Sequence, residues 1–396
     1  MIRAVKIRLK PNREQENLLW QMAGGARFAY NWAVNKEDQA FLSGEPFIPP
    51  YTLASIWRQE RPEWALTLNA DLFKQAIYDA CKAYTNFFRI QKAGPKYTNA
   101  TLRKAAWHKR PLTHYDLNGH PKFKSRKRGE PGFYNAPEKI RFYDDKVLLT
   151  KVGRVRLSEP ERVPCGKLYN PRISFDGKYW YVSLACEFEI KPPELTDIVL
   201  GVDLGVKTLA TVSNGDTYEN INRTEKVRKL NKKLRRGQRK ASRKYKMNPK
   251  KEGGVRYQKS KNISKQEKKN ALINRKIRNI RDNQAHQMTA ALVKTKPRAI
   301  VVEDLNVRGM MSNRHLSKAV QGCQFNGIRR QLEYKCAERG IQLIIADRYY
   351  ASSKTCSYCG YVKKDLKLSE RVYVCAGCGE IIDRDLNAAI NLANLA

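Results

Sequence analysis

Two cysteine pairs and a nearby acidic triplet carry the densest chemistry in the chain. CSYC at 356–359 and CAGC at 375–378 give the spacing C-x2-C-x15-C-x2-C. Four thiolates at that spacing suit a tetrahedral Zn2+ ion held between two knuckles, a zinc ribbon formed by Cys356, Cys359, Cys375 and Cys378. Gly360 and Gly379 follow the two pairs, and glycine is the residue that most easily takes the positive-φ turn closing a knuckle. A redox pair would need a single C-x-x-C. The DRD triplet at 383–385 begins a few residues past the last cysteine, which sets the ribbon beside an active site whose other carboxylates come from elsewhere.

Two more acids stand at the ends of apolar runs. Asp203 closes VLGVD (199–203), and Glu303 lies near the end of RAIVVED (298–304). Taken singly, Asp203 reads equally well as a turn residue before Gly205, and Glu303 as an ordinary strand-end charge. From residue 198 the patterns run strand, strand, strand, helix, strand, helix, strand, insertion, helix, the order of an RNase H-like sheet. The strands are 199–203, 208–215, 217–222, 298–304 and 341–347; helices are read around 327–339 and from 385 to 396. In that order Asp203, Glu303 and an Asp at the start of the last helix converge. Such a cluster of hard oxygen ligands can hold two Mg2+ ions about 4 Å apart for phosphodiester hydrolysis.

The elements before residue 193 must position something else. IRAVKIRL (2–9) alternates as a strand. A helix runs from Glu14 to about Phe41, with Leu18, Leu19, Met22, Ala26, Phe28 and Ala29 on one face, and a second helical block spans Thr52 to Arg89. Its aromatic end, AYTNFFR, reads as a packing face. Between Lys92 and Gly119 periodicity is lost, and the stretch reads as an excursion ordered only in part without a ligand. Short strands at 139–143, 146–150, 154–157, 172–175 and 179–190, with turns at Asp144-Asp145 and Asp176-Gly177, predict a small barrel that the first strand joins. Lys191-Pro192-Pro193 reads as a linker.

The formal net charge of the 396 residues is +39. That excess calls for a polyanion, most commonly nucleic acid. Residues 223–282 hold 25 Lys and Arg against four acids. Val227, Leu230 and Leu234, with Ile273, Ile277, Ile280, Met288 and Leu292, keep an apolar seam through this region. The pattern predicts two helical arms, broken at Pro249–Gly254, lying along a phosphate backbone. KFKSRKR (122–128) reads as a phosphate-contacting loop. Candidate contacts are Lys122, Lys124, Arg126 and Lys127 in that loop, and Arg235, Arg236 and Arg239 on the first arm. No run resembles a transmembrane segment, the N-terminus lacks a signal-peptide pattern, and no membrane partner is expected. Five further cysteines (Cys81, Cys165, Cys186, Cys323, Cys336) read as apolar fillers in a reducing compartment.

GVDLGVKTLATVSNG, VVEDLNVRGM, SSKTCSYCG, CAGC and DRDLNAAINL closely resemble the RuvC-like core of the transposon-encoded TnpB family, which is similar to the compact type V CRISPR effectors. VKIRLKPNREQENLL, GGARFAYN, YTNFFR and GHPKFKSRKR extend the resemblance over nearly the whole chain. The resemblance implies an RNA-guided, Mg2+-dependent DNA endonuclease in the prokaryotic cytoplasm. Its partners would be a structured guide RNA from the transposon end and double-stranded target DNA with its unwound strands. Asp203, Glu303 and Asp385 correspond to the catalytic acids, with Asp383 as second choice for the third. The implied fold is α+β and multidomain: residues 1–10 and 119–192 form a wedge β-barrel, 11–118 a helical recognition domain, and 193–396 a RuvC-like nuclease with the ribbon inserted at 350–382. The stretch 93–118 is longer and more irregular than the family pattern. Two alternatives from other classes are a nuclease-inactive RNA-guided repressor and a guide-independent transposase or structure-specific nuclease. Within the leading class, the rival is a miniature type V CRISPR effector.

Overall fold

The computed structural model describes residues 2–125, 130–189, 193–248, 260–367 and 370–396. Arg126 and Lys127, the first two linker residues at 191–192, and the break at 249–254 lie outside them. The described residues divide into two units, Ile2–Phe188 and Glu189–Ala396.

In the first unit, the alternation of the N-terminal run gives strand β1 (Ile2–Lys10), which buries Ile7 and Leu9. Asn12 and Gln15 form a capping box that starts α1 (Arg13–Leu42). Leu19, Met22, Ala26 and Ala29 face the core as the pattern predicts, but Phe28 is exposed and touches the rings of Trp57 and Trp64. The helical block expected over 52–89 is two helices, α2 (Pro50–Glu60) and α3 (Ala70–Ala93). Pro62 disfavours continuation of the helix, and the Asn69 side chain accepts a hydrogen bond from the Asp71 N–H to begin α3. Tyr84 and Phe87 on α3 are fully buried, so the aromatic end does pack. Inside the expected excursion lies a further helix, α4 (Asn99–Trp107), started by the Thr98 side chain and invisible to apolar periodicity because it buries little beyond Ala105.

Six more strands follow: β2 (Gly132–Tyr134), β3 (Arg141–Tyr143), β4 (Lys146–Leu149), β5 (Gly153–Leu157), β6 (Leu168–Phe175) and β7 (Trp180–Glu187). They join β1 in one sheet of order β2-β6-β7-β1-β5-β4-β3. β1 pairs with β7 over Ile2–Arg8 and with β5 at Leu9 and Lys10. The closed barrel expected here is not found: among the described residues no ladder joins β2 to β3. Both end strands are three residues long, and the 3-10 turn Pro137–Lys139 lies between them, leaving little backbone for a closing ladder. Helices and sheet share one core, in which Leu19, Met22 and Ile77 belong with Val155, Trp180 and Val182.

In the second unit, the strands are β8 (Thr196–Leu204), β9 (Thr208–Val212), β10 (Thr217–Glu219), β11 (Pro297–Glu303) and β12 (Gln342–Ala346), in the order β10-β9-β8-β11-β12. β8, β11 and β12 run parallel, whereas β9 is antiparallel to β8. Helices α5 (Glu225–Lys246) and α6 (Lys261–Lys294) are the two basic arms. They pack through buried Val227, Gly237 and Ala241 on one side and Ile263, Asn270 and Ile277 on the other. A Cβ at Gly237 would lie 2.1 Å from Asn270 Oδ1, so a larger residue there would displace the Asn270 side chain. Two short helices, α7 (Val307–Ser312) and α8 (Ser317–Cys323), were not legible in the sequence; α9 (Phe325–Ala337) was. A two-stranded ribbon, β13 (Val372–Val374) with β14 (Ile381–Asp383), precedes the last helix α10 (Arg384–Ala393). One sheet face packs Val202 and Val302 in a core with Met288, Leu292, Ile328 and Leu332; the other sets Val301 and Ala346 against Leu392 of α10. Among the described residues no helix is long and apolar enough to cross a membrane.

Candidate metal centres and basic groove

Strand register brings two of the three acids together. Val202 of β8 is the partner of Val302 in β11, so Asp203 and Glu303 are the next residues on neighbouring parallel strands. Side chains alternate across a sheet, and both acids therefore share the face of Gly201 and Val301. That is the α10 face. A Cβ at Gly201 would lie 1.9 Å from the Ala389 carbonyl oxygen, so glycine lets α10 lie directly on β8. Asp385 is one helical turn before Ala389, on the same side of α10, which carries its carboxyl toward the strand ends.

The electrostatics report the same convergence. Burial first, then the charges of Glu303 and Asp385, push the Asp203 carboxyl up to about 8, against the opposing pull of Arg384. Asp385 Oδ1 lies 3.2 Å from Arg384 Nη2 and 3.8 Å from Arg371 Nη1. Asp383 is otherwise occupied. Its Oδ1 accepts the backbone N–H groups of Asp385 and Leu386 at 2.9 and 3.0 Å as the cap of α10. Of the two aspartates, Asp385 is thus the one whose side chain is not spent on the helix end.

Glu303 is held from the ribbon side. The Ser352 hydroxyl, in a buried residue, donates to Glu303 Oε1 at 2.6 Å. Asn391 Nδ2 donates to the carbonyls of Ser352 and Thr355 at 2.7 and 2.6 Å. Asn387 donates to the Thr355 carbonyl and accepts the Ser357 N–H. These bonds clamp the first knuckle to α10. Ser352, Asn387 and Asn391 fall inside the quoted motifs, but composition and periodicity gave no sign of their roles.

The four cysteines form a closed cluster. Their Sγ atoms all lie within 4.8 Å of one another, with 3.7 Å between Cys356 and Cys378 and 3.5 Å between Cys359 and Cys375. Zinc–sulfur bonds of about 2.3 Å in a tetrahedron separate sulfurs by about 3.8 Å, so the donor set fits a zinc ion with little adjustment. Gly360 and Gly379 both have φ +76°, the turn their positions predict. Buried Tyr373 stiffens the ribbon, its hydroxyl donating to the carbonyls of Lys354 and Tyr361.

A basic groove runs through the second unit. One cavity of about 600 Å³ has Lys207, Arg223, Arg228, Arg281, Lys318 and Arg371 in its lining. Arg371 also faces Asp385, linking this cavity to the carboxylates. A second cavity of about 370 Å³ shares Arg281 and Lys318 with the first and adds Arg235. The predicted Arg236 and Arg239 are exposed on α5. In the first unit, Lys122 and Lys124 are both exposed, and the Lys124 ammonium sits 3.6 Å from the centre of the Tyr30 ring beside a 330 Å³ cavity that Asp79 and Arg172 also line. Partial desolvation of the ammonium beside the ring lowers the Lys124 pKa, with Asp79 opposing.

Comparison with known proteins places the chain. Residues 183–314 match a family described as "Probable transposase", 325–392 a "Cas12f1-like, TNB domain", and 1–45 a "Helix-turn-helix domain". A "Putative RNA-guided DNA endonuclease" of Streptomyces pristinaespiralis is 30% identical over 98% of this chain and 88% of its own length. A protein with the same description from Mycobacterium tuberculosis (strain CDC 1551 / Oshkosh) is 35% identical, over 99% of this chain and 86% of its own. The chain belongs to the TnpB/IS605 family. In fold it is similar to a solved structure described as a Cas12f1-sgRNA-target DNA complex, with a TM-score of 0.52 at 14% identity, covering 100% of this chain and 99% of that one. Within the match at 1–45, the described residues 2–45 form one strand and one long helix.

Proposed function

We propose that this chain is a transposon-encoded RNA-guided DNA endonuclease that hydrolyses target phosphodiesters beside a short flanking motif. Asp203, Glu303 and Asp385 would hold two Mg2+ ions on an RNase H-like (RuvC-like) fold within residues 193–396. The observation that supports this reading is the strand register: it sets Asp203 and Glu303 at the ends of neighbouring parallel strands, on the face where α10 lies against Gly201 and carries Asp385. The raised Asp203 carboxyl, pushed up to about 8 by burial and then by Glu303 and Asp385, agrees with it. When bound, the metal supplies an activated water and charge stabilisation at the leaving oxygen. The chain supplies placement: Ser352 fixes Glu303, Asp383 caps the helix that carries Asp385, and the groove residues Arg281, Lys318 and Arg371 receive phosphates. Cys356, Cys359, Cys375 and Cys378 would hold Zn2+ as a structural ion in a ribbon spanning 350–382.

In this reading, residues 11–118 are a helical recognition region and 1–10 with 119–192 a wedge β-domain. The guide is a structured RNA from the transposon end, the target is double-stranded DNA and its unwound strands, and the setting is the cytoplasm. Sequence selection would rest on guide pairing, with the protein contacting backbone and shape. Convergence of three acids weighs against a nuclease-inactive repressor. The test is to sequence the RNA carried by protein purified from its native host. A discrete structured RNA, whose 3′ segment can be rewritten to redirect cleavage, is the expected result. Heterogeneous RNA with cleavage indifferent to its removal would overturn guidance in favour of a guide-independent nuclease. A miniature CRISPR effector would be recognised by an adjacent repeat array supplying that RNA.

A further inference from the structure

A second cluster of metal-ligating side chains lies inside the first unit. Asp38 of α1, His114 and His120 each bring one ligand atom within 4.8 Å of the others. Asp38 and His120 are only 3% and 5% exposed, a depth at which polar atoms need partners. The turn that delivers the histidines is itself built. Arg110 grips Asp116 with two 2.7 Å hydrogen bonds, and Thr113 and Asp116 form a capping box around His114.

His120 is oriented as a ligand. Its Nδ1 lies 2.8 Å from the Pro121 carbonyl oxygen, and a carbonyl only accepts, so Nδ1 carries hydrogen. In the neutral ring Nε2 is then bare. It lies 3.0 Å from Asp38 Oδ1, a separation that a shared proton holds as an ion pair and that a metal ion can hold as two neighbouring ligands. The Tyr84 hydroxyl donates to that same Oδ1. Asp38 Oδ2 and His114 Nε2 are also buried without a hydrogen-bond partner. One carboxylate and two imidazoles thus meet inside a shell that includes the rings of Tyr84, Phe87 and Tyr115.

We propose that Asp38, His114 and His120 bind a divalent transition metal ion of the zinc class, pinning the 113–120 turn to α1. Two imidazole nitrogens exclude the all-oxygen preferences of Mg2+ and Ca2+ and favour zinc and its neighbours. Zinc bonds of about 2.1 Å place tetrahedral ligands about 3.4 Å apart, so a small inward movement completes the set, with solvent as the fourth ligand. The Nδ1–carbonyl bond is the outer support that fixes the ligating tautomer. The site is independent of the nuclease reading, which can fail while it stands.

Metal analysis of the full-length protein, dialysed against excess Mg2+ to mask the carboxylate centre, tests it. Two zinc ions per chain are expected, one for each cluster. A Cys356→Ser/Cys375→Ser double variant should keep the Asp–His–His ion, and His120→Asn or Asp38→Asn should keep only the ribbon ion. Should those variants fail to fold, Co2+ added to chelator-stripped wild-type protein distinguishes the sites, because only the ribbon gives thiolate-to-metal charge-transfer bands. A second equivalent showing ligand-field bands alone supports the proposal. A single zinc, lost with the cysteines, and a single class of Co2+ would overturn it and leave an Asp38–His120 ion pair in its place.

Discussion

The ribbon and the carboxylate centre are neighbours built in opposite ways. The ribbon draws its donors from 23 consecutive positions, 356–378, with a small core around Tyr373; with so little core, its order would depend on the zinc ion proposed for it. The carboxylate centre gathers acids 100 and 82 residues apart (203 to 303, then 303 to 385) by strand register and one glycine contact. That frame is set by strand pairing and helix packing, and in the proposed reading an ion would relieve the repulsion among the acids. Soft donors close in sequence make a metal-dependent structure, whereas hard donors distant in sequence make a structure that awaits its metal.

Four changes would break or sharpen that contrast. The largest concerns the ribbon. Structural zinc contributes roughly 10–16 kcal/mol of apparent binding energy in zinc-finger peptides, so Cys375→Ser should abolish local order. Limited proteolysis should then cut within 350–383 while the β8–β12 sheet keeps its amide protection; unfolding of the sheet as well would contradict the separation. Next is Gly201→Ala. Its methyl would meet the Ala389 carbonyl oxygen at 1.9 Å, and forcing α10 outward should cost roughly 4 kcal/mol, read as a lowered denaturation midpoint. Wild-type stability would show that α10 does not rest where the register places it.

A smaller effect is expected at the bridge between the two centres. Ser352→Ala removes the 2.6 Å bond to Glu303, and loss of such an outer support lowers metal affinity or activity by about 10–100-fold. Titration of Mg2+ against cleavage rate should show a raised half-saturation, whereas a change in maximal rate alone would argue for a different role. The fourth change is in pH. Asp203 is raised in the folded protein from 3.8 to about 8, so the metal-free fold binds the extra proton and loses stability as pH rises from about 4 to about 8. Mg2+ must displace that proton, and its stabilisation should therefore grow over the same window and level off above it. Thermal melts with and without Mg2+ at pH 6.5 and 8.5 would contradict this if the shifts were equal.

How much could be read beforehand follows from the same contrast. The cysteine spacing and the glycine turns at Gly360 and Gly379 are local, and both were legible. Asp203 and Glu303 were legible as strand-end acids, but their register pairing and the need for glycine at 201 are long-range packing facts that periodicity does not encode. Arg371 was missed because only folding brings it to Asp385, 14 positions on. Asp383 and Asp385 look alike in sequence, and only the cap geometry separates them. The strand β2 was too short to alternate, and α4 too polar to show a face. The barrel expectation failed because strand pairing was legible while the absence of a closing ladder between β2 and β3 was not.

The central claim is that Asp203, with Glu303 and Asp385, holds the metal that cuts DNA while the rest of the chain holds RNA. Asp203→Ala tests it most directly, with Mg2+-dependent cleavage and guide-RNA affinity measured on one preparation. Cleavage should fall by at least about 1,000-fold, roughly 4 kcal/mol of barrier, with RNA affinity within about twofold of wild type. Cutting at the wild-type rate would contradict the account.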